Sequence, residues 1–275
     1  MKTRTKDILW IAGAICLLFL IFFPIYWMLI SSLRPNVEIF HFPPKLFPEK
    51  LTLEAYRILF SEPQVGRALF NTVLVSAGTT LLSLSIATFG AFGISRFRFF
   101  GRKSLQFYIL VTQMLPVILL SIPFFTIFTK LGLYDTRIGL VFAYTSFTIP
   151  FCALTMVGFY NSIPVSLEES ALIDGCTRLE AFLRIVFPLS KPGFVATGFF
   201  AFVTAWNEYL LPVVLTTSPK SQMLVVEIGS KIGQYDIKWN ELMALSVLSS
   251  IPLMIIYAFV QKAFVRGMTA GAVKM

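Results

Sequence analysis

The chain has 275 residues, of which 56% are hydrophobic and 13% charged, against roughly 25% charged residues in ordinary soluble domains. This composition excludes intrinsic disorder and argues against a soluble globular protein. The formal net charge of +9 indicates basic loops that face an anionic lipid leaflet. It does not indicate nucleic-acid binding, because the cations occur in short clusters between apolar runs.

The apolar runs predict an all-α integral membrane protein with six transmembrane helices, since a helix needs about 20 apolar residues to cross a bilayer. We predict a single transmembrane domain over residues 1–275. The first apolar run follows Lys2, Arg4 and Lys6, as in a signal peptide. At about 23 residues it exceeds a signal h-region of about 7–15, so we expect an uncleaved span. The predicted spans are 8–30, 69–93, 105–129, 138–159, 193–215 and 242–261.

The turn at 94–104 predicts the orientation of these spans. It contains Arg96, Arg98, Arg102 and Lys103 and no acidic residue. Cytoplasmic loops carry an excess of Lys and Arg. We therefore expect both termini in the cytoplasm, with the loop between spans four and five on the same side.

That loop, residues 160–192, has the sequence signature of two helix starts. Ser166 and Glu169 have the spacing of a capping box, in which each side chain bonds the other residue's backbone amide. Thr177 and Glu180 repeat the same spacing. The loop is therefore predicted to form two short capped helices.

A glycine separates the two predicted helices, and a proline ends the second. Gly175 suits the left-handed conformation that terminates many helices, and Pro188 cannot continue one. The second helix carries one apolar face, which suits either a groove on a partner or packing on the protein's own bundle. Both alternatives stay open. The residues of that face are Leu179, Phe182, Leu183, Val186 and Phe187.

The loop resembles a known signature. Glu169 and Ala171 are followed by Gly175 after three residues, and then, nine residues later, by Ile185 and Pro188. This spacing resembles the signature loop of ABC importer permeases, which reads Glu-Ala-Ala, x3, Gly, x9, Ile-x-Leu-Pro. Two mild departures are the residues at 170 and 187, which are Ser and Phe.

The resemblance extends beyond the loop. The segments 26–35, 205–212 and 267–274 look like the carbohydrate-uptake branch of these permeases. Within that branch the chain is similar to the shorter, six-span subunit of the maltose-type pair. The resemblance implies a transport subunit, not an enzyme, in a prokaryotic-type cell membrane that it crosses several times.

The resemblance also implies a division of labour. The loop would be a coupling helix that docks on a cytoplasmic ATPase through Glu169, Ala171 and Gly175, with Ile185 and Pro188 completing the motif. We find no Gly-x4-Gly-Lys-Ser/Thr phosphate loop, so no cofactor is expected in this chain, and ATP and Mg would bind to the partner ATPase. The implied partners are two ATPase subunits, a second permease subunit in a heterodimer and an extracytoplasmic sugar-binding protein.

Polar residues inside the predicted spans are candidates for the translocation pathway. A charge at mid-bilayer costs about 2.5–3.5 kcal/mol on insertion scales, so Glu208 is expected to face the bundle or a water-filled cavity. It would hydrogen-bond sugar hydroxyls beside an aromatic ring, or form a helix-to-helix hydrogen bond that fixes the core. The candidates are Asn71, Gln113, Trp206, Asn207 and Glu208.

Two further segments are candidate contact regions. The loop 216–241 is placed like the family loop that reaches into the binding protein, although a solvated loop is the alternative. The tail 270–274 is similar to tails that slot between ATPase subunits, although a flexible terminus is the alternative. The candidates are Gln222, Gln234, Tyr235 and Trp239 in the loop, and Ala270, Gly271 and Lys274 in the tail.

Two other functional classes stay as alternatives. A secondary transporter would need an ion or proton site at mid-membrane and usually an internal repeat, and Glu208 is the one intramembrane acid. An intramembrane enzyme would need membrane-embedded histidines or a second buried acid, whereas the single histidine, His41, lies in the first external loop. Because the sequence has a single histidine, a metal site that needs two histidines in this chain is excluded. ATP dependence of uptake separates these classes.

Overall fold

The computed structural model describes residues 2–233 and 237–272, with side chains over 10–233 and 237–262. Over these residues the fold is helical, apart from one isolated bridge between Ile232 and Ile237. The helices in chain order are α1 (Lys2–Ser32), α2 (Asn36–Ile39), α3 (Glu54–Ser61), α4 (Pro63–Arg96), α5 (Arg102–Thr112), α6 (Val117–Lys130), α7 (Arg137–Ser162), α8 (Val165–Ile173), α9 (Arg178–Ala181), a π-helical turn (Phe182–Val186), α10 (Phe187–Leu189), α11 (Lys191–Trp206), α12 (Leu210–Leu215), α13 (Leu224–Ser230) and α14 (Trp239–Ala272).

Within the described residues, four helices are long and apolar enough to cross a membrane: α1, α4, α7 and α14. The number rises to six if each of two bent helix pairs counts as one span. One pair is α5 with α6, and the other is Arg178–Leu189 with α11. Length and composition therefore agree with a multi-pass membrane protein.

The predicted span 105–129 is not one continuous helix. Its chain forms α5 and α6, whose axes meet at 94° across a break of four residues. Pro116 directly precedes α6 and has no N–H for the helical ladder, and it disfavours the helical conformation of the residue before it. The helix consequently ends at Thr112 and restarts at Val117.

The predicted span 193–215 is also interrupted. Helix α11 ends at Trp206, and α12 begins at Leu210. Pro212 lacks the N–H that would bond to the carbonyl of Glu208 in a continuous helix. The amides of the new helix instead bond to the Glu208 side chain.

The chain divides into two compact units. One contains the residues up to Gly66 together with Glu227–Pro252. Within it, Lys231 Nζ lies 2.8 Å from a carboxylate oxygen of Glu62 and 3.4 Å from one of Glu241. This largely buried cation therefore joins α3 to the start of α14.

The other unit contains Arg67–Val226 together with the residues from Leu253 onward. Small residues let its helices approach closely, as is typical of membrane bundles. A Cβ at Gly193 would lie 2.6 Å from Cγ of Phe159, so only glycine fits at this crossing of α11 and α7. The hydroxyls of Ser83 and Thr148 are 2.5 Å apart and link α4 to α7.

Candidate functional site

The first helix of the loop 160–192 starts two residues earlier than predicted. Pro164 directly precedes α8, and Val165 is its first helical residue. Ser166 is therefore inside the first turn, and it forms no capping hydrogen bond with Glu169, so the first predicted capping box is wrong. The reason is that Pro164 takes the extended N-cap conformation two positions before Ser166.

The glycine stop between the two helices is confirmed. Gly175 has φ of +90°, and its amide donates to the carbonyl of Leu172 at 3.1 Å. The amide of Cys176 donates to the carbonyl of Ala171 at 2.9 Å. These two bonds form a Schellman motif, which satisfies the last carbonyls of α8. The turn between the two helices is thus built on the left-handed residue.

The second capping box is also confirmed. The amide of Glu180 donates to Oγ1 of Thr177 at 3.3 Å, and the amide of Thr177 donates to Oε2 of Glu180 at 2.7 Å. The backbone hydrogen bond from Thr177 lowers the pKa of the Glu180 carboxyl below its usual range. Helix α9 therefore begins at the predicted position.

The sequence predicted one apolar face on the second helix, and this prediction is wrong. Phe182 and Val186 are buried, whereas Leu179 and Leu183 are 59% and 50% exposed. Residues 182–186 form a π-helical turn, which has more residues per turn than an α-helix. The wider turn rotates the later side chains away from the 3.6-residue repeat, and the stripe divides into an inner and an outer part.

The predicted docking residues differ in exposure. Glu169, Gly175 and Pro188 are exposed, and Ile185 is half-buried. Ala171 is 7% exposed and packs within the chain. The surface of the loop therefore presents a carboxylate and a glycine turn.

An ion pair that the sequence did not predict lies beneath this surface. Arg96, at the end of α4, donates from Nε to Oε1 of Glu168 at 2.5 Å. The two side chains are only 7% and 11% exposed. Nη2 of Arg96 also donates to the carbonyl of Ile163 at 3.2 Å. No local pattern could have indicated this pair, because its members are 72 residues apart.

Ring contacts join the same region of α4 to the second helix of the loop. The ring centroids of Phe92 and Phe182 are 4.6 Å apart. The guanidinium of Arg178 lies 5.3 Å from the centroid of the Phe97 ring. Phe92, Phe97 and Arg178 line a cavity of about 230 Å³ together with Arg96 and Glu168.

The candidate pathway residues of span five lie at the break between α11 and α12. Oε1 of Glu208 accepts the amides of Leu210 at 2.9 Å and Leu211 at 3.1 Å. Trp206 is fully buried, whereas Asn207 is exposed and donates to the carbonyl of Val203 at 2.9 Å. Glu208 therefore satisfies its carboxylate locally, at a helix start.

Asn71 holds the segment that follows α12. It is fully buried, and its Nδ2 donates to the carbonyls of Lys220 at 3.0 Å and Gln222 at 2.8 Å. The amide of Leu224 donates to Oγ1 of Thr72 at 2.8 Å. Two adjacent polar residues of α4 thus fix one loop across about 150 residues of sequence.

Asp135 anchors the other end of that loop and was not predicted. Its Oδ1 accepts the amides of Thr217 at 2.9 Å and Ser218 at 3.1 Å, and also the hydroxyl of Ser221. Partial burial alone would raise the pKa of Asp135, but these hydrogen bonds favour its charged form and lower the pKa to about 2.

The remaining candidates are dispersed. Gln113 is exposed at the end of α5 and lines a cavity of about 400 Å³ with Phe151, Phe200 and Thr204. The amide of Trp239 donates to Oδ1 of Asn36 at 3.0 Å. Gln234, Tyr235 and Lys274 lie outside the described residues, and Ala270 and Gly271 lie in α14 beyond the described side chains.

Over the described side chains, no group of three His, Cys, Asp or Glu residues is placed to hold a metal ion. The polar groups of the site form hydrogen bonds at loop ends and helix ends. The arrangement presents the exposed carboxylate of Glu169 on α8, next to the buried ion pair of Glu168 and Arg96.

Comparison with known proteins identifies the family. Residues 66–270 match the family model described as "Binding-protein-dependent transport system inner membrane component". The chain is 34% identical over 252 residues to the diacetylchitobiose uptake system permease protein DasC of Streptomyces coelicolor, covering 92% of this chain and 91% of that protein. It is 33% identical over 272 residues to the trehalose/maltose transport system permease protein MalG of Thermococcus litoralis, covering 98% and 97%.

A solved structure agrees. One chain of a bacterial ABC transporter involved in the import of the acidic polysaccharide alginate superposes with a TM-score of 0.82 at 25% identity, covering 95% of this chain and 98% of that chain. The resemblance seen in the signature loop thus extends over the whole fold. The chain belongs to the family of inner membrane permease components of binding-protein-dependent ABC transport systems.

Proposed function

We propose that this chain is one permease subunit of an ATP-driven sugar importer, in which it forms half of the translocation pathway. The observation that carries the proposal is the full-length similarity to permeases named for diacetylchitobiose and for trehalose and maltose. A disaccharide or a related oligosaccharide is therefore the expected class of solute. Family membership also sets aside the ion-coupled carrier and the intramembrane enzyme.

The proposed topology has six spans, formed by α1, α4, α5 with α6, α7, α11 with its neighbouring segments, and α14. The cluster of Arg96, Arg98, Arg102 and Lys103 supports a cytoplasmic position for the turn after α4 and for both termini. The loop 160–192 then also faces the cytoplasm. In this topology the whole chain acts as a single permease domain.

The proposed coupling element is the loop 160–192, which we name the coupling loop. Its exposed Glu169 offers a charge-assisted hydrogen bond to a separate ATPase subunit, and Gly175 sets the turn that presents it. Ile185 and Pro188 support the second helix. Two such ATPases would hydrolyse ATP with Mg and rock the spans between inward-facing and outward-facing states.

The remaining proposed contacts complete the complex. A second permease subunit pairs with this chain as a heterodimer, and a sugar-binding protein contacts the loop around Gln222, Gln234, Tyr235 and Trp239. Asn71, Gln113 and the residues Trp206, Asn207 and Glu208 are assigned to the pathway or its supporting loops. Ala270, Gly271 and Lys274 are assigned to the ATPase interface.

The test is uptake by cells that lack the chromosomal copy of this chain and carry it, or an empty vector, on a plasmid. Radiolabelled maltose, trehalose and diacetylchitobiose are supplied in turn, and the affinity-tagged chain is purified to identify its partners. We expect uptake of at least one sugar to require the chain, with an ATPase among the co-purified subunits. Depleting ATP while holding the ion gradients should stop uptake. Uptake that continues under that condition would contradict the proposal.

A further inference from the structure

We propose that the end of α4 moves as one body with the coupling loop, and that Arg96 is the positioning residue that fixes the two together. The inference rests on the proposed function, because the force on the loop comes from the partner ATPase. Through Arg96, that force would also reach α4. The coupling loop is joined covalently to α7 and α11, whereas α4 lies about 70 residues earlier in the chain and can respond only through contacts.

Adjacent glutamates in α8 have opposite environments. Glu169 is exposed, whereas Glu168 is buried and forms the 2.5 Å bond to Arg96. One carboxylate is thus available to a partner, while its neighbour is engaged by the end of α4. A displacement applied at Glu169 reaches Glu168 through a single peptide unit.

The arginine is itself held in place, so it does not act as a loose tether. Its Nη1 donates to Oγ of Ser95 at 3.2 Å, and that hydroxyl donates to Oδ1 of Asn161 at 2.7 Å. Its Nη2 donates to the carbonyl of Ile163. The guanidinium therefore bonds α4, the end of α7 and α8 at once, and few of its donors remain to be satisfied by water.

Two contacts of a different kind attach the rest of the loop to α4. The rings of Phe92 and Phe182 pack with centroids 4.6 Å apart, and Arg178 lies over the ring of Phe97. Both helices of the loop are consequently attached to residues 92–97. The ion pair is the contact that carries the first helix, which presents Glu169.

The ion pair is tested by variants that differ in the charge they leave buried. Arg96→Gln or Glu168→Gln alone leaves the other charge buried and unpaired, which destabilises strongly. The double variant Arg96→Gln/Glu168→Gln leaves no charge behind, and the exchanged pair Arg96→Glu/Glu168→Arg restores attraction with the charges reversed. Arg98→Gln is the matched control, because Arg98 is exposed two residues further along the chain.

The experiment uses the reconstituted complex with its ATPases, second permease and binding protein. Spin labels are placed at Gly90→Cys in α4 and Ile173→Cys in α8, the helix that the ion pair holds, after replacement of the native cysteines. Gly90 has no atom within 4 Å of an added Cβ, and Ile173 is 86% exposed. The interlabel distance is measured without nucleotide and with ATP and vanadate. Uptake of radiolabelled maltose, trehalose or diacetylchitobiose, supplied in turn, is measured per ATP hydrolysed.

We expect one interlabel distance, the same in both states, for the wild-type chain and for Arg98→Gln. In the double glutamine variant the distance should change between states, and the sugar carried per ATP should fall about 2- to 30-fold, the range typical of residues within a coupling network. The exchanged pair should recover both quantities. If the double variant keeps either the constant distance or the wild-type ratio, the inference is wrong.

Failure of the proposed function would appear differently. In that case the wild-type complex would show no ATP-dependent uptake, or the chain would co-purify without an ATPase. A wild-type complex that transports normally, together with a double variant that behaves like it, overturns the role of Arg96 alone.

Discussion

Oε1 of Glu208 accepts the amide of Leu210 at 2.9 Å, so the acidic residue inside span five caps the helix that follows it. The sequence left two alternatives for this carboxylate, a sugar contact or a helix-to-helix bond. In the structure the carboxylate accepts the backbone amides at the start of α12, the helix that directly follows it in the chain.

Substitution of Glu208 separates capping from solute recognition. Glu208→Gln keeps a side-chain oxygen for the amides of α12, whereas Glu208→Ala removes it and should cost about 0.5–2 kcal/mol of stability. Thermal unfolding of the purified complex measures this difference. If Glu208→Gln unfolds like the wild type but changes the ratio of uptake among the three sugars, the carboxylate also contacts the solute. A destabilised Gln variant would contradict the capping role.

Gly175 is expected to tolerate little change. Gly175→Ala forces an L-residue to φ of +90° and should cost about 1–2 kcal/mol, although its Cβ meets no atom within 4 Å. Gly175→Pro cannot reach this φ at all and loses the bond to Leu172. We expect the Pro variant to abolish uptake while its membrane level stays normal, as checked by immunoblot of the membrane fraction.

The matched control is Gly158→Ala, at an exposed position in the helix α7 with open space around the added Cβ. This change should leave uptake unaltered, because alanine favours a helix over glycine. Normal uptake by Gly175→Pro would argue against a docking role for the turn.

Asn71→Ala should loosen the loop after α12. The change removes the donor to the carbonyls of Lys220 and Gln222. Because Arg137 also donates to the carbonyl of Lys220, the loss falls on the carbonyl of Gln222, at a cost of about 0.5–1.5 kcal/mol. Trypsin cleaves after Lys220, which is exposed, so the variant should be cut there faster than the wild type. Asn207→Ala is the control, since the exposed Asn207 bonds only within its own helix. Equal cleavage rates for all three proteins would show that Asn71 does not hold the loop.

The loop should also respond to acid through Asp135. Its pKa of about 2 lies below the usual value of about 3.9, so its charged form stabilises the folded loop. This stabilisation is complete above about pH 4 and is lost as the pH falls toward 2. Hydrogen exchange at the amides of Thr217 and Ser218 should therefore show protection that decreases over this range. Asp135→Asn keeps an acceptor and tolerates φ of +55°, and it should abolish the pH dependence.

Features governed by neighbouring residues were predictable from the sequence. The glycine stop at 175 and the capping box of Thr177 and Glu180 depend on a few adjacent backbone groups, and both are present. The box at Ser166 failed because Pro164 begins the helix first. Local rules competed there, and the stiffer residue determined the outcome.

Features that depend on distant packing were not predictable. The segment 105–129 contains two prolines, Pro116 and Pro123, and the 94° bend lies at Pro116 alone. Pro123 in α6 and Pro150 in α7 lie inside intact helices, so a proline by itself does not indicate the bend. The bonds from Arg96 to Glu168 and from Asn71 to Gln222 join residues 72 and 151 positions apart. Contacts between residues this far apart in the chain cannot be predicted from the local pattern of a single sequence.

The close crossing at Gly193 restricts which substitutions this chain can accept. Because even a methyl group there would overlap the Phe159 ring, a saturation library at codon 193 should yield no functional substitution. Viable replacements should reappear when position 159 is shortened to alanine, since the space returns to the other helix. The two codons are thereby expected to change together or not at all.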